Sequence, residues 1–432
     1  MDNIENINNH YTYSKVLIKT NNLCFNVGNN YDGCLFNGTL DDQEKPIIID
    51  FFKELSKLTY NINYDKINFI TGLRCCALYN KERVFLFGKL IITSIITQNN
   101  NEFVYNNSFC SFNISTLKIK IKNIALGMHH ILILSEEGNI YAQGKQVKGE
   151  LGLGENIEFA SSFNKVKVND IIINIYCNTK QSYCINENFE VYSWGSNRYY
   201  ELGHIEKEVY YYPNKVLINN IYKTKSVLLG LKYALFISNN LDCIYFTGDN
   251  KKSVIFNENK SKIYLKQYNL KNLIDDSFKH FCYNINIEEN SIKVIDIKSG
   301  WNNIYININY NKTSCILCYG ENNLNQLINS SYINKNISIY NHNCYIVKLI
   351  VGTDFSYFID ENHNIYSFGW NEHYNLCSLD NLQKNKLIKI DLSNFDFYSK
   401  NINTNYDNKY EIEDICLGGA YTYFIFKKKF NS

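Results

Sequence analysis

The sequence predicts an all-β chain, a seven-bladed β-propeller of four-stranded antiparallel blades closed by N- and C-terminal strands that share one blade. Three observations predict it. A hairpin pattern ending in glycine recurs seven times along the 432 residues. Apolar and aromatic residues hold fixed places before each of those glycines. The chain opens on the second half of the pattern and finishes on the first half.

The clearest copy runs from Ile124 to Gly154, IALGMHHILILSEEGNIYAQGKQVKGELGLG. His130 to Leu134 reads as a buried strand, Ser135 to Asn139 as a turn with Gly138 free to take a positive φ, and Ile140 to Ala142 as the returning strand. A lone hairpin of this length is marginal in water, so copies must stack on one another. The closing glycines are Gly28, Gly88, Gly144, Gly195, Gly248, Gly320 and Gly369. Four places before each stands Cys24, Val84, Ile140, Val191, Ile244, Ile316 or Ile365, and three before stands Phe25, Phe85, Tyr141, Tyr192, Tyr245, Leu317 or Tyr366. Adjacent strand residues face opposite ways, so these pairs are expected to feed two different inter-sheet layers.

After the glycine, several copies carry Asn two places on and Leu seven places on, as in GSNRYYELG from Gly195 and GENNLNQL from Gly320. The two prolines, Pro46 and Pro213, share one register after this turn. The first half recurs in TGLRCCALY, LGLKYALFI, VGTDFSYFI and LGGAYTYFIF. With six whole units between the two half units, joining the ends makes a seventh and leaves no free sheet edge. The expected organisation is a tail at 1–15, one propeller over 16–426, and a basic tail at 427–432. Polar insertions at about 89–118, 249–293 and 378–411 are expected as exposed loops.

Forty-four basic against 42 acidic residues leave a net charge of +2, which predicts no bulk attraction to nucleic acid, chromatin or anionic membrane. Fourteen irregularly spaced cysteines and an N-terminus, MDNIENINNHY, without basic or apolar signal regions point to a reducing intracellular compartment, cytoplasmic or nuclear. The longest apolar run, near Leu90 to Ile96, is too short to span a bilayer. A monomer is expected.

The pattern resembles the regulator-of-chromosome-condensation repeat, whose units read G-x-x-H-S, then L-T-x-x-G, then V-Y-x-W-G-x-N-x-x-G-Q-L-G. GMHHILILSEEGNIYAQGKQVKGELGLG and VYSWGSNRYYELG carry the resemblance, which extends over about residues 16–426. It implies a seven-bladed propeller closed by its termini. It also implies roles that range from exchange factor for a Ran-like small GTPase to interaction module. The exchange factor's acidic wedge loop has no copy here, since the turn at Gly144 reads KQVKGELG, and its basic N-terminal tail is absent.

No catalytic constellation, cofactor fingerprint or metal site is expected. Cys315-x-x-Cys318 has no second ligand pair at zinc spacing, and Cys318 fills a small-residue slot. The histidine at 130 matches the repeat histidine, which resembles a buried hydrogen-bonding residue. The residues that follow the closing glycines, Lys145, Lys148, Arg198, Lys251, Lys252, Glu321, Glu372 and His373, are expected to line one face and to touch a protein partner. The leading expectation is a non-enzymatic interaction scaffold. The alternative is a guanine-nucleotide exchange factor for a Ran-like small GTPase.

Overall fold

Seven antiparallel sheets follow one another along the chain, five of four strands and two of five. The computed structural model describes residues 15–58, 65–88, 109–113, 119–218, 223–255, 258, 260–280, 292–310, 313–328, 332–334, 336–378, 381, 384–395 and 410–429. Residues 1–14 of the expected tail, most of 89–118 and of 378–411, and the last three residues of 427–432 lie outside them.

The first sheet, blade 1, joins the ends: the strands Tyr410–Leu417 and Tyr421–Lys428 pair on to Leu23–Gly28 and Gln43–Ile49. Phe25 and Phe424 are direct partners across the seam. Blades 2 to 7 then run over 66–113, 121–165, 172–215, 224–269, 293–342 and 346–389. In several neighbouring blades the first strands touch, 121–126 with 172–177, 293–299 with 346–351 and 410–417 with 66–71, so the first strands ring the axis.

Side chains of consecutive residues do separate into different layers. Cys24 packs between blades 1 and 2 with Phe69 and Phe87, while Phe25 packs between blades 7 and 1 with Tyr357 and Ile365. Ile316 and Leu317 divide in the same way. The prolines sit in outermost strands, Gln43–Ile49 and Val209–Lys215, where a missing N–H costs no ladder bond.

The structure adds elements that the expected plan lacks. β1 (Lys15–Lys19) pairs antiparallel with Lys66–Thr71, the axial strand of blade 2, and makes that sheet five-stranded. It therefore lies inside the ring, where the Lys15 ammonium donates to Asn123 Oδ1 of blade 3 at 3.0 Å. Burial lowers the Lys15 pKa to about 8. The other five-stranded sheet is blade 6, widened by Tyr332–Asn334 at its outer edge.

Within 249–293, expected as an exposed loop, the chain forms the outer strand Lys262–Asn269 of blade 5 and a helix, Leu270–His280. Leu270, Leu273, Ile274, Ser277 and Phe278 are buried at helical spacing, and Ser277 Oγ lies 2.8 Å from Tyr319 Oη of blade 6. A second helix, Phe51–Leu58, starts at Asp50, whose carboxylate accepts from Lys53 N at 3.1 Å. It buries Phe51 against Phe69, Phe87 and Tyr423. No helix among the described residues is long and apolar enough to cross a membrane.

The seam gives the first prediction. Phe424 is fully buried, with Phe395 at 4.9 Å and Tyr357 at 5.7 Å between ring centroids. Phe424→Ala is expected to cost about 3–5 kcal/mol in urea unfolding at neutral pH.

Candidate functional site

Strand order places two sets of loops on one face of the ring: the turns joining first to second strands, and the loops that follow the closing glycines. The glycines bind the two sets together. All seven have φ between 95° and 129°. A Cβ on Gly144 would lie 2.4 Å from His129 O, and one on Gly320 only 2.0 Å from Asn302 O. The next residue's N–H donates to that same carbonyl: Lys145 N to His129 O at 2.8 Å, Ser196 N to Lys180 O at 2.9 Å, Asp249 N to Lys232 O at 2.9 Å, and Glu321 N to Asn302 O at 3.1 Å. Only a residue without a side chain lets the two loops approach so closely.

The Asn and Leu of the motif hold the rest of the loop in the copies that carry them. Oδ1 of Asn30, Asn197, Asn250, Asn322 and Asn371 accepts the backbone N–H five residues on, at 2.8–3.0 Å. Leu35, Leu151, Leu202, Leu327 and Leu376 are at most 1% exposed. The loops are also tied to the next blade. Glu150 O accepts from Ser182 Oγ and Trp194 Nε1 of blade 4, and Asn375 O of blade 7 accepts from Thr422 Oγ1 of blade 1 as well as from Tyr357 Oη of its own blade. Glu150 is fully buried and accepts Val147 N and Lys148 N at 2.8 and 2.6 Å. Glu201 does the same for Tyr199 N at 2.6 Å, and burial raises its carboxyl pKa.

The expected contact residues fall into two groups. Glu321, Glu372, His373 and Lys252 are engaged with neighbours: Lys252 with Glu321, His373 Nδ1 with Asp42 Oδ2 at 2.7 Å, and Glu372 with Trp370 Nε1 at 3.3 Å. Lys145, Lys148, Arg198 and Lys251 are exposed, and their side chains form no ion pair among the described residues. These four stand on one side of the face, on blades 3, 4 and 5, among the exposed Glu155, Glu158, Glu206 and Glu208 of the same loops. On the other side Asp32 is bound bidentately by Arg74 at 2.7 and 2.8 Å.

Sequence reasoning missed the closest gathering of cations on this face. The Tyr199 ring has Lys232 Nζ 4.7 Å, Lys262 Nζ 5.3 Å and Arg198 Cζ 6.0 Å from its centroid. Lys232 belongs to the first turn of blade 5 and Lys262 opens its outer strand, so the cluster spans two blades. Their signal lay outside the glycine loops: Lys232 precedes Tyr233 in LGLKYALFI, the position of Lys180 in blade 4. Lys262 also lines a groove of about 690 Å³ with Tyr200, Tyr264, Leu217 and Leu265. Leu217 is 77% exposed and Tyr264 42%.

The remaining candidates are structural. Cys315 and Cys318 are buried in different core layers, on opposite faces of one strand, so they cannot share a ligand. His130 is fully buried, and its Nε2 lies 2.9 Å from Ser182 Oγ. Since Ser182 gives its proton to Glu150 O, the imidazole is the donor in that bond. Gly127 makes room for the ring, because a Cβ there would sit 2.1 Å from His130 Cε1.

These features match known proteins. The family described as "Regulator of chromosome condensation (RCC1) repeat" matches residues 190–237. An RCC1 domain-containing protein of Dictyostelium discoideum is 23% identical over 361 residues, covering 60% of this chain and 69% of that one. The mouse regulator of chromosome condensation is 30% identical over 77 residues, 18% of each chain. Among solved structures, yeast RCC1 (Prp20) bound to Kap60 superposes with a TM-score of 0.70 at 14% identity, covering 95% of this chain and 90% of that one. Human WBSCR16 gives a TM-score of 0.66 at 12% identity, with 95% and 100% covered.

Two predictions belong to this geometry. Gly320→Ala is expected to cost about 2 kcal/mol or more, from left-handed strain plus the clash, in thermal or urea unfolding. His130 titrates at about 3, its charge opposed first by burial and then by His129. The unfolded imidazole takes its proton near pH 6.5, so this contribution is intact above that pH and is lost on acidification toward 3. The loss is about 1.4 kcal/mol per pH unit. Stability measured at pH 6.5 and 4.5 should therefore fall about 2–3 kcal/mol further in the wild type than in His130→Gln.

Proposed function

We infer that this chain, a divergent member of the regulator-of-chromosome-condensation repeat family, is a non-enzymatic protein-interaction module that engages an acidic protein partner through the cation cluster at Tyr199 on its glycine-loop face. The Tyr199 cluster carries the reading. Three cations from two blades surround one aromatic ring, and none of Arg198, Lys232 and Lys262 forms an ion pair among the described residues. Like charges held this close repel, and a partner carboxylate relieves that repulsion. The adjoining groove offers Leu217, Tyr264 and Leu265 to an apolar side chain. An acidic segment bearing an aromatic or aliphatic anchor fits both.

The loop that carries Arg198 and Tyr199 is suited to such binding because it is fixed by Gly195, by Asn197 and by Thr247 of the next blade, so little ordering is needed on association. Yeast Prp20p, whose solved structure has this fold, is described as having binding properties to Gsp1p and histones. For this chain the exchange of nucleotide on a Ran-like GTPase is the competing proposal, and one assay separates the two.

A fluorescent Asp/Glu-rich peptide with a central Phe is expected to bind the purified chain with an affinity that falls as salt rises. Lys232→Glu with Lys262→Glu should weaken it about tenfold or more, while Lys120→Glu on the opposite face leaves it unchanged. Equal binding by the double variant defeats the assignment. Acceleration of nucleotide release from Ran by orders of magnitude replaces it with the exchange reading.

A further inference from the structure

On the face opposite the glycine loops, blades 6 and 7 bring three side chains of different chemistry to one point. His342 ends the strand Ile337–His342 of blade 6, Cys344 lies in the connection to blade 7, and Asp360 ends the strand Phe355–Asp360 of blade 7. His342 Nε2 is 3.4 Å and Cys344 Sγ 3.6 Å from Asp360 Oδ2, and all three atoms lie within 4.8 Å of one another. Among the described residues no other three His, Cys, Asp or Glu side chains converge in this way. We propose that His342 Nε2, Cys344 Sγ and Asp360 Oδ2 form a binding site for a divalent transition-metal ion of the zinc type.

The spacing suits the ion. Zinc bonds of roughly 2.0–2.3 Å in a tetrahedron put neighbouring ligand atoms about 3.5 Å apart, as two edges of this triangle already are. One nitrogen, one sulfur and one oxygen are donors that zinc accepts and that magnesium or calcium do not select. His342 and Asp360 are 8% and 1% exposed, while Cys344 is partly exposed. The fourth position of the tetrahedron therefore opens toward solvent and suits a water.

The surroundings are those of a held site. Tyr340 Oη lies 3.1 Å from His342 Nδ1, a partner that orients the ring and leaves Nε2 for the metal. Phe358 and Tyr366 flank the imidazole at 5.2 and 5.1 Å. Asp360 Oδ1 accepts Asn362 N and Asn364 N at 2.9 and 2.8 Å, and Asn364 Nδ2 donates to Oδ2 at 2.9 Å.

Comparison among blades shows that the turn does not need a carboxylate. At the same register Ser135, Asn186 and Ser238 accept the equivalent backbone N–H, from Asn139, Glu190 and Cys243. The charge on Asp360 is thus surplus to the fold, and it occurs where a histidine and a thiol also meet. The sequence signal was His342-Asn343-Cys344, set 16 residues or more from Asp360 and so hidden from any ligand-spacing rule. A bound ion would fasten blade 6 to blade 7.

The test uses the full chain, stripped with chelator and titrated with Co²⁺ and then Zn²⁺. One Co²⁺ per chain should bind with a thiolate-to-metal charge-transfer band, and Zn²⁺ should displace it. Cys344→Ser should abolish the band. Asp360→Asn keeps the turn, as Asn186 does in blade 4, yet should weaken binding more than tenfold and abolish the rise in Tm that Zn²⁺ gives the wild type. Tyr340→Phe should weaken it roughly tenfold or more. Absence of a charge-transfer band, or a band and Tm shift unchanged in Asp360→Asn, overturns the proposal.

Discussion

The contact on which the rest depends is backbone against backbone: a glycine at the end of each third strand pressed on the carbonyl of the turn beside it. The following N–H completes it with a hydrogen bond to the same oxygen, as Lys145 N does with His129 O. In several blades the pairing with the outer strand shifts register beside this glycine, between Ala142 and Gly144 and between Ser193 and Gly195. Two loops become one unit, and among the described residues these units hold the face together. Side chains then carry the fixation outward, from the loop Asn to its own backbone and from the loop carbonyl to the next blade.

Closure follows the same economy of parts. Each blade buries both faces against neighbours, so an unclosed ring would expose two complete apolar faces and a strand edge. Pairing Leu23–Gly28 with Tyr421–Lys428 removes both. β1 extends that logic to the axis, because it covers the inner edge of blade 2 and brings a lysine to Asn123 and the Tyr79 ring.

What was legible in the sequence is what repetition makes legible. The glycine register, the apolar-aromatic pairs and the half units at the ends gave blade number, order and seam, because each is a backbone or core requirement stated seven times. β1 was illegible because KVLIK occurs once and has no counterpart in any other blade. The helix Leu270–His280 has its own 3.6-residue period, but it lies in a polar stretch that breaks the repeat. The basic cluster escaped for a different reason. Lys232 and Lys262 are 30 residues apart and in different loops, and only the fold sets them on one ring.

The extent of the family match now has a physical explanation. It covers residues 190–237, from the third strand of blade 4 to the second of blade 5, whereas the fold likeness spans 95% of the chain. The constraints that hold the ring are glycines, carbonyls and merely apolar positions, which any of several residues satisfy. Sequence can therefore drift across most blades without loss of shape. Blades 4 and 5 retain Trp194, the Asn197–Leu202 loop and the Gly230–Tyr233 turn, in which Tyr233 Oη reaches Gly300 O and Asn303 O of blade 6. That same segment carries Arg198, Tyr199 and Lys232. The contacts that fix this segment also position the cluster, because cations are held together where the loops beneath them cannot spread apart.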